Sequence, residues 1–203
     1  RVTNGQAWPD KATNHIERES GVLYLTEADA PEDTIRLRLH KMRAVLDRVF
    51  ILQEIEKAGP IEGERTPFSI EGTIEMLTEI IESIDDCRLL VIDPLSNYLN
   101  PKVHEQKLMI ASLVELAQRL QVGVLLVNRT PHFGEAARAV WTIVRDRRDR
   151  ACRYLVPVKN SLAPDSRAMK FRITGNDSYE APCLEWEETP VEVSSLDPMT
   201  TGI

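Results

Sequence analysis

The sequence predicts an α/β fold, in which a mostly parallel sheet is flanked by helices and extended by antiparallel strands towards the C-terminus. Short apolar runs alternate with amphipathic helical stretches as far as Val127. The runs Arg88–Ile92 and Gly123–Val127 are almost wholly apolar, which is typical of strands buried on both faces of a parallel sheet. The strand-like runs that follow have no long helix between them, which favours antiparallel pairing.

Each element has its own sequence pattern. Apolar runs predict strands, at residues 22–25, 50–52, 88–92, 123–127, 154–159, 169–173 and 183–186. Apolar residues at helical spacing predict helices, with stripes at Ile35–Val49, Ile70–Ile84 and Met109–Leu120. Asp33 or Thr34 is the expected cap of the first helix. Residues 136–146, AARAVWTIVRD, are expected to form a short helix that runs into a strand.

Length and composition indicate one globular domain. A chain of 203 residues can bury one sizeable core, and hydrophobic and charged fractions of 42% and 28% are ordinary values for such domains. We expect four successive parts within it: a loop, a parallel α/β part, antiparallel strands and an acidic tail, at residues 1–20, 21–128, 129–187 and 188–203.

Several classes of protein are excluded by the composition. No apolar run approaches ~18 residues, so neither a membrane span nor a membrane partner is expected. Cys87, Cys152 and Cys183 are odd in number and far apart, which argues against a disulfide framework or a zinc site and favours the cytoplasm. The histidines show no ligand spacing. The tryptophans are interpreted as packing residues, at positions 8, 141 and 186.

Charge is distributed unevenly along the chain. The formal net charge is −7, yet residues 129–172 contain eleven lysines and arginines against four acids. From residue 175 to the end there are seven acids and no base. A basic block of this kind can face phosphate or nucleic acid, although a solvated surface balanced by the acidic tail fits the charges equally well.

Three predicted strands end in polar residues that can do chemistry. Glu27, Asp93 and Asn128 each come at or just after the end of a strand. The carboxyl ends of parallel strands share one edge of the sheet, which is where α/β proteins bind ligands. A carboxylate there can hold Mg²⁺ through its water shell, and a second can deprotonate an attacking water. A polar side chain on the neighbouring strand can contact a terminal phosphate, as a nucleoside triphosphatase requires.

The same segments resemble a known family. The pieces GVLYLTEADAPEDTIRLRL, RLLVIDPLSNYL, LAQRLQVGVLLVN, AARAVWTIVRD and YLVPVKNSLAP occur in its order and span residues 21–186. They are similar to RecA-like P-loop ATPases of the AAA type, close to the hexameric replicative helicases of the RepA group. The resemblance implies a three-layer sandwich, with ATP and Mg²⁺ as cofactors. It also implies a homo-oligomer, as a hexameric ring or filament, that acts on single-stranded DNA.

The resemblance implies a role for each matching residue. Asp93, in VIDPLS, would coordinate Mg²⁺ as the Walker B aspartate, and Glu27, in YLTEAD, would be the general base. Asn128, in VNRT, would sense the terminal phosphate, with Arg129 as its neighbour. Lys159, in VPVKNSLAP, would reach the nucleotide of the adjacent subunit. A further basic position of the family, whose role is not fixed, corresponds to Arg138.

Two departures from the family pattern qualify these roles. A P-loop needs a Gly-Lys pair, and this sequence contains no such dipeptide. We expect the P-loop to precede Arg1, so that these residues are a fragment; a degenerate, non-hydrolysing member is the alternative. The segment between Asn128 and Ala136 is also shorter than the family's channel-facing loop.

Two other functions use the same pattern. A non-catalytic scaffold would assemble with partners through the same interface, and it would lack a Walker A motif altogether. A signalling or recombination ATPase would keep the site but act on another partner.

Overall fold

The computed structural model describes residues 1–16, 18–26, 31–53, 70–98, 103–128, 136–162, 167–175 and 181–192. Its helices are α1, α2 and α3, at Pro31–Lys41, Ile70–Ser83 and Val103–Leu120. The first four strands are β1, β2, β3 and β4, at Gly21–Thr26, Val49–Leu52, Cys87–Asp93 and Gly123–Leu126. The last four are β5, β6, β7 and β8, at Ala139–Arg145, Cys152–Asn160, Met169–Thr174 and Cys183–Trp186. Short 3-10 turns lie at Leu46–Arg48 and Leu95–Tyr98.

The first four strands form a parallel sheet in the order β2-β1-β3-β4. One of its faces packs against α2 and α3. The buried side chains of this core are Leu23, Leu25, Leu90 and Ile92 from the sheet, and Leu77, Ile81, Met109, Leu113 and Leu116 from the helices. Each such leucine or isoleucine contributes about 1.5–3 kcal/mol to stability. The core therefore fixes the register of β1 and β3, and with it the position of their carboxyl ends.

The crossovers distribute the helices over the two faces of this sheet. The chain moves outward from β1 to β2 through α1, and then in the opposite direction to β3 through α2 and to β4 through α3. Because parallel crossovers are right-handed, α1 lies on the face opposite to α2 and α3. The predicted arrangement of a parallel sheet between helices is confirmed.

The last four strands form a separate antiparallel sheet in the order β5-β6-β7-β8. The sequence predicts antiparallel strands in this part of the chain, and they are present. They hydrogen-bond to one another and, within the described residues, not to the parallel sheet. The ring of Phe171 packs on that of Trp186 with centroids 4.9 Å apart, so Trp186 is a packing residue as expected.

Two local predictions were wrong. The first helix starts at Pro31, so Asp33 and Thr34 lie inside it and neither is its cap. Proline suits the first helical position because its fixed φ matches the helix and its missing N–H has no partner to lose there. The same helix ends at Lys41 and does not continue along the predicted stripe to Val49. Arg43 follows with a φ of 60°, in the left-handed region that breaks a helix.

The expectation for the segment AARAVWTIVRD is half right: its strand is present, but its helix is not. Residues 136–138 are not helical, and Ala139–Arg145 is a strand throughout. Exposed and half-buried side chains alternate along it, with the period of two that belongs to a strand.

Asp86 fixes the start of β1 against the start of β3, at the end of the sheet opposite to Asp93. Its carboxylate accepts hydrogen bonds from Arg18 Nε at 3.0 Å, Ser20 Oγ at 2.8 Å and Arg88 Nε at 2.8 Å. The side chain is 6% exposed. The Arg18 guanidinium, more than the other partners, lowers the pKa of Asp86 to about 2. The carboxylate is therefore ionised at neutral pH and stabilises the fold in that form.

Asp86→Asn is expected to destabilise the protein by about 1–3 kcal/mol at neutral pH, since it weakens hydrogen bonds to a buried charged group. The pKa of Asp86 is lower in the folded chain than its ordinary value of 3.8, so its contribution is complete above pH 4 and disappears towards pH 2. Urea denaturation over that range should show the difference between wild type and variant shrinking as the pH falls. A difference that stays constant over this range would contradict the role given to the carboxylate. The control is Asp85→Asn, whose side chain is 76% exposed and which should be nearly neutral.

None of the helices within the described residues is both long enough and apolar enough to cross a membrane.

Candidate functional site

Three parallel strands end side by side at one edge of the sheet. Thr26, the last residue of β1, lies beside Asp93, the last residue of β3. The ladder between β3 and β4 continues beyond the strands, because the Val127 N–H donates to Ile92 O at 2.9 Å and the Leu95 N–H donates to Val127 O at 2.8 Å. These bonds hold the chain rigidly where it leaves the sheet. Asp93 and the residue after Val127, Asn128, are thus on adjacent strand ends, as the sequence predicts.

Asp93 receives a hydrogen bond from a neighbouring strand. The hydroxyl of Tyr24, on β1, donates to Asp93 Oδ2 at 2.7 Å. Both side chains are half-buried and lie on the sheet face opposite to α2 and α3. Burial raises the pKa of Tyr24, and the hydrogen bond to Asp93 raises it further. Tyr24 is therefore a protonated donor at neutral pH, and it holds the carboxylate in one orientation.

The residues around Asp93 fit a magnesium ion that is held mainly by water and phosphate. Within the described residues the second carboxylate oxygen, Oδ1, accepts no hydrogen bond, and the side chain is partly open to solvent. The described part of the chain contains no cluster of three or more acidic, histidine or cysteine side chains that could enclose a metal. Mg²⁺ commonly uses only one or two protein carboxylates together with substrate phosphates, so a single open carboxylate is sufficient.

Glu27 and Arg129 lie outside the described residues. Glu27 follows directly after Thr26, and Arg129 follows directly after Asn128. The backbone therefore brings the chain to this edge immediately before each of them. Their proposed roles stay predictions.

Lys159 lies in the antiparallel sheet, and Arg138 lies just before its first strand. Both side chains are exposed. Lys159 pairs with Val140 at the open end of the β5–β6 hairpin, and Arg138 immediately precedes β5. The backbone oxygen of Arg138 accepts hydrogen bonds from Ser161 N at 2.9 Å and Ser161 Oγ at 2.8 Å. The two basic residues therefore belong to the same end of this hairpin.

A cleft of about 270 Å³ lies between α1 and β2, and it contains none of the predicted site residues. Its lining is mixed, with Arg36, Asp47 and Gln53 among apolar side chains. The chemistry predicted from the sequence is at the neighbouring strand ends, where Asp93 and Asn128 lie.

Tyr24 is the site residue that sequence reasoning missed. The signal was present in the alternation of the strand: residues 24 and 26 share a face, and so do residues 91 and 93. To predict that Tyr24 reaches Asp93, one must also know the register of β1 on β3, in which Thr26 pairs with Asp93. The apolar pattern alone does not specify that register.

Tyr24→Phe should raise the Mg²⁺ concentration that gives half-maximal ATP hydrolysis by about tenfold, because groups that orient a metal ligand typically affect affinity by that order. Titration of hydrolysis with Mg²⁺ at saturating ATP measures the effect. Tyr154→Phe is the matched control, since it removes a phenol that donates at 2.9 Å to Asp146, in the other sheet. An equal shift in both variants would show that Tyr24 has no specific role at Asp93.

Comparisons with known proteins bear on the family and the fold of this chain. A sequence model of the family described as AAA domain matches residues 1–135, which include β1 to β4 with Asp93 and Asn128. No curated protein matches the chain. A solved structure of a KaiC-like protein from the hyperthermophilic archaeon Pyrococcus horikoshii OT3 is 15% identical with a TM-score of 0.52, covering 82% of this chain and 76% of that one. At this identity the likeness shows the fold alone. The chain thus has the predicted RecA-like ATPase fold, and it belongs to the AAA domain family.

Proposed function

We propose that this domain hydrolyses ATP with Mg²⁺ at the edge where β1, β3 and β4 end. The observation that carries the proposal is the position of the Asp93 carboxylate. The Tyr24 hydroxyl donates to its Oδ2 at 2.7 Å, and the strand end that bears Asp93 lies beside the end of β4. A positioned carboxylate at the carboxyl edge of a parallel sheet is the arrangement that binds a metal–nucleotide complex in α/β proteins. Membership of the AAA domain family supports the same activity.

Each residue at this edge has a separate part in the reaction. When bound, Mg²⁺ would neutralise charge on the transferred phosphate. Asp93 would hold it, through the carboxylate oxygen that does not accept the Tyr24 hydrogen bond and through the water shell. Glu27 would orient the attacking water and take its proton, while Asn128 would donate its amide hydrogens to the terminal phosphate. The phosphates also need a glycine-rich loop, and the 203 residues contain no Gly-Lys pair.

The nucleotide is proposed to lie between subunits of a homo-oligomer. Lys159 is exposed in the second sheet, so it is accessible to a neighbouring subunit's nucleotide. Arg138 and Arg129 would be further basic side chains near the phosphates. Residues contributed across a repeated head-to-tail interface generate a ring or a filament. The resemblance to RepA-type helicases supports a hexameric ring or filament in the cytoplasm that moves along single-stranded DNA.

Strand separation tests the DNA-acting part of the proposal. The gene product that contains these residues should separate a forked DNA duplex only when ATP and Mg²⁺ are both present. Replacing ATP by a non-hydrolysable analogue is the control, and it should stop separation. ATP hydrolysis without strand separation or stimulation by single-stranded DNA would leave the ATPase assignment in place and reject the helicase.

A non-catalytic scaffold is the alternative, and such a protein would lack a P-loop altogether. The gene product would then bind no ATP, while it would still assemble. Equilibrium binding of a fluorescent ATP analogue distinguishes the two functions, since the ATPase requires saturable binding and the scaffold does not.

A further inference from the structure

The tip of the β5–β6 hairpin is a concentrated basic surface that the ATPase site does not use. The arginine tip, defined here as residues 145–153, contains five arginines and two aspartates in a chain whose net charge is −7. Four of these arginine side chains are exposed, at positions 145, 147, 148 and 150. Within the described part of the chain, none of the four forms an ion pair.

The first aspartate of the tip is directed into the loop. Asp146 is 8% exposed, and its Oδ1 accepts the backbone N–H groups of Arg148 at 2.8 Å and Asp149 at 3.1 Å. The Tyr154 hydroxyl donates to its Oδ2 at 2.9 Å. These bonds fix the turn that carries Arg147 and Arg148, so the two guanidinium groups are presented from a preformed loop.

The second aspartate is held by groups on the flanking strands. Asp149 Oδ2 accepts from Arg172 Nη2 at 2.7 Å and from Cys152 Sγ at 3.2 Å, and its Oδ1 accepts from the Ala151 N–H at 3.0 Å. Its charge is therefore matched by an arginine of β7, outside the tip. Both carboxylates serve the loop's own structure, and the four exposed arginines are left facing solvent.

Exposed apolar side chains continue from the tip along one face of β5. Trp141, Ile143 and Arg145 alternate on that face, and Trp141 is 36% and Ile143 64% exposed. At about 3.3 Å per residue, the indole lies roughly 13 Å along the strand from Arg145. An exposed indole in line with arginines provides a stacking surface next to phosphate contacts.

We propose that the arginine tip binds the phosphate backbone of single-stranded nucleic acid, and that Trp141 stacks on one of its bases. Guanidinium groups bind phosphates through paired hydrogen bonds. An anionic membrane fits the geometry less well, because the exposed apolar side chains lie along the strand and not at the tip that would insert. The arginine tip lies at the opposite end of the hairpin from Lys159, the residue proposed to reach a nucleotide. This proposal rests on the proposed DNA-acting motor, and it adds the surface that would hold the single-stranded DNA.

The test uses fluorescence anisotropy of labelled oligo-dT with the gene product, over a series of salt concentrations. Arg147→Ala/Arg148→Ala should weaken binding about tenfold and reduce the slope of log affinity against log salt by about 1 to 2, because two phosphate contacts are lost. Trp141→Leu should weaken binding about tenfold with an unchanged salt slope, since stacking releases no counterions.

The matched control is Lys11→Ala/Arg167→Ala, which makes the same change in charge. Both side chains are exposed, and each already pairs with an acid, Glu188 at 2.9 Å and Glu192 at 2.7 Å respectively. This control should bind oligo-dT as the wild type does. Equal affinities and salt slopes in the wild type and the tip variant would overturn the proposal.

Two further outcomes also overturn it. The first is a tip variant that no longer binds phosphatidylserine vesicles but still binds oligo-dT as the wild type does. The second is a wild-type protein that binds neither. ATP hydrolysis without DNA, measured on the same samples, reports separately on the proposed ATPase. Unchanged hydrolysis in the tip variant is expected, so loss of the tip function and loss of the ATPase are distinguishable.

Discussion

Asp93→Asn is expected to lower Mg²⁺-dependent ATP hydrolysis by about 10²–10⁴-fold, because it removes the one charge that the described residues place at the metal position. Asparagine has nearly the same size and can still accept the hydrogen bond from Tyr24. The fold should therefore be unchanged, and thermal unfolding of the variant should match that of the wild type. Turnover at saturating ATP over a Mg²⁺ series is the measurement.

The matched control is Asp85→Asn. It makes the same chemical change just before the first residue of β3, whereas Asp93 is the last residue of that strand. Asp85 is exposed and pairs with Arg48 at 3.3 Å, far from the carboxyl edge. It should hydrolyse ATP at the wild-type rate. If Asp93→Asn also retains that rate, Asp93 does not hold the metal and the site is elsewhere.

Lys159→Ala is expected to leave ATP binding intact and to slow hydrolysis strongly, because the lysine would act on the neighbouring subunit's nucleotide. Mixing subunits tests the position of the lysine. Lys159→Ala and Asp93→Ala protomers are each inactive, but some mixed interfaces contain one intact copy of each residue. In a head-to-tail ring, equal mixing should restore about a quarter of the wild-type activity.

A site completed within one subunit predicts no recovery in that mixture, because every protomer lacks one of the two residues. Lys170→Ala is the control variant: it removes another lysine of the second sheet, one that pairs with Glu187 at 2.6 Å. It should retain full activity alone. Loss of both ATP binding and hydrolysis in Lys159→Ala protomers would argue against a role across the interface.

The parallel part of the fold could be predicted because its signals are local. The runs around β3 and β4 are apolar, and helical stripes separate them. The expected burial on both faces holds for β3 but was wrong for β4, which is an edge strand whose Leu125 is 50% exposed. The positions of Asp93 and Asn128 follow from the strand ends alone. Their adjacency follows from the parallel crossover, which brings consecutive carboxyl ends to one edge.

Other features depend on long-range pairing that no local pattern specifies. The bond from Tyr24 to Asp93 requires the register of β1 on β3, which shifts between Gly21 and Val22. The helix-favouring residues Ala136, Ala137 and Arg138 precede β5, and the strand itself begins only where pairing with β6 begins, at Ala139. The sequence likewise does not specify that β5 to β8 pair with one another in a sheet separate from the parallel one. The orientation of Asp146 and Asp149 into their loop is equally a property of the folded hairpin.

The most direct test of the central claim is ATP turnover by the gene product, measured with Mg²⁺ and again after Mg²⁺ is chelated. The site at the carboxyl edge predicts saturable hydrolysis that requires Mg²⁺ and returns when the ion is restored. A folded gene product that neither binds nor hydrolyses ATP would contradict the claim. The AAA domain would then be a scaffold on the same fold.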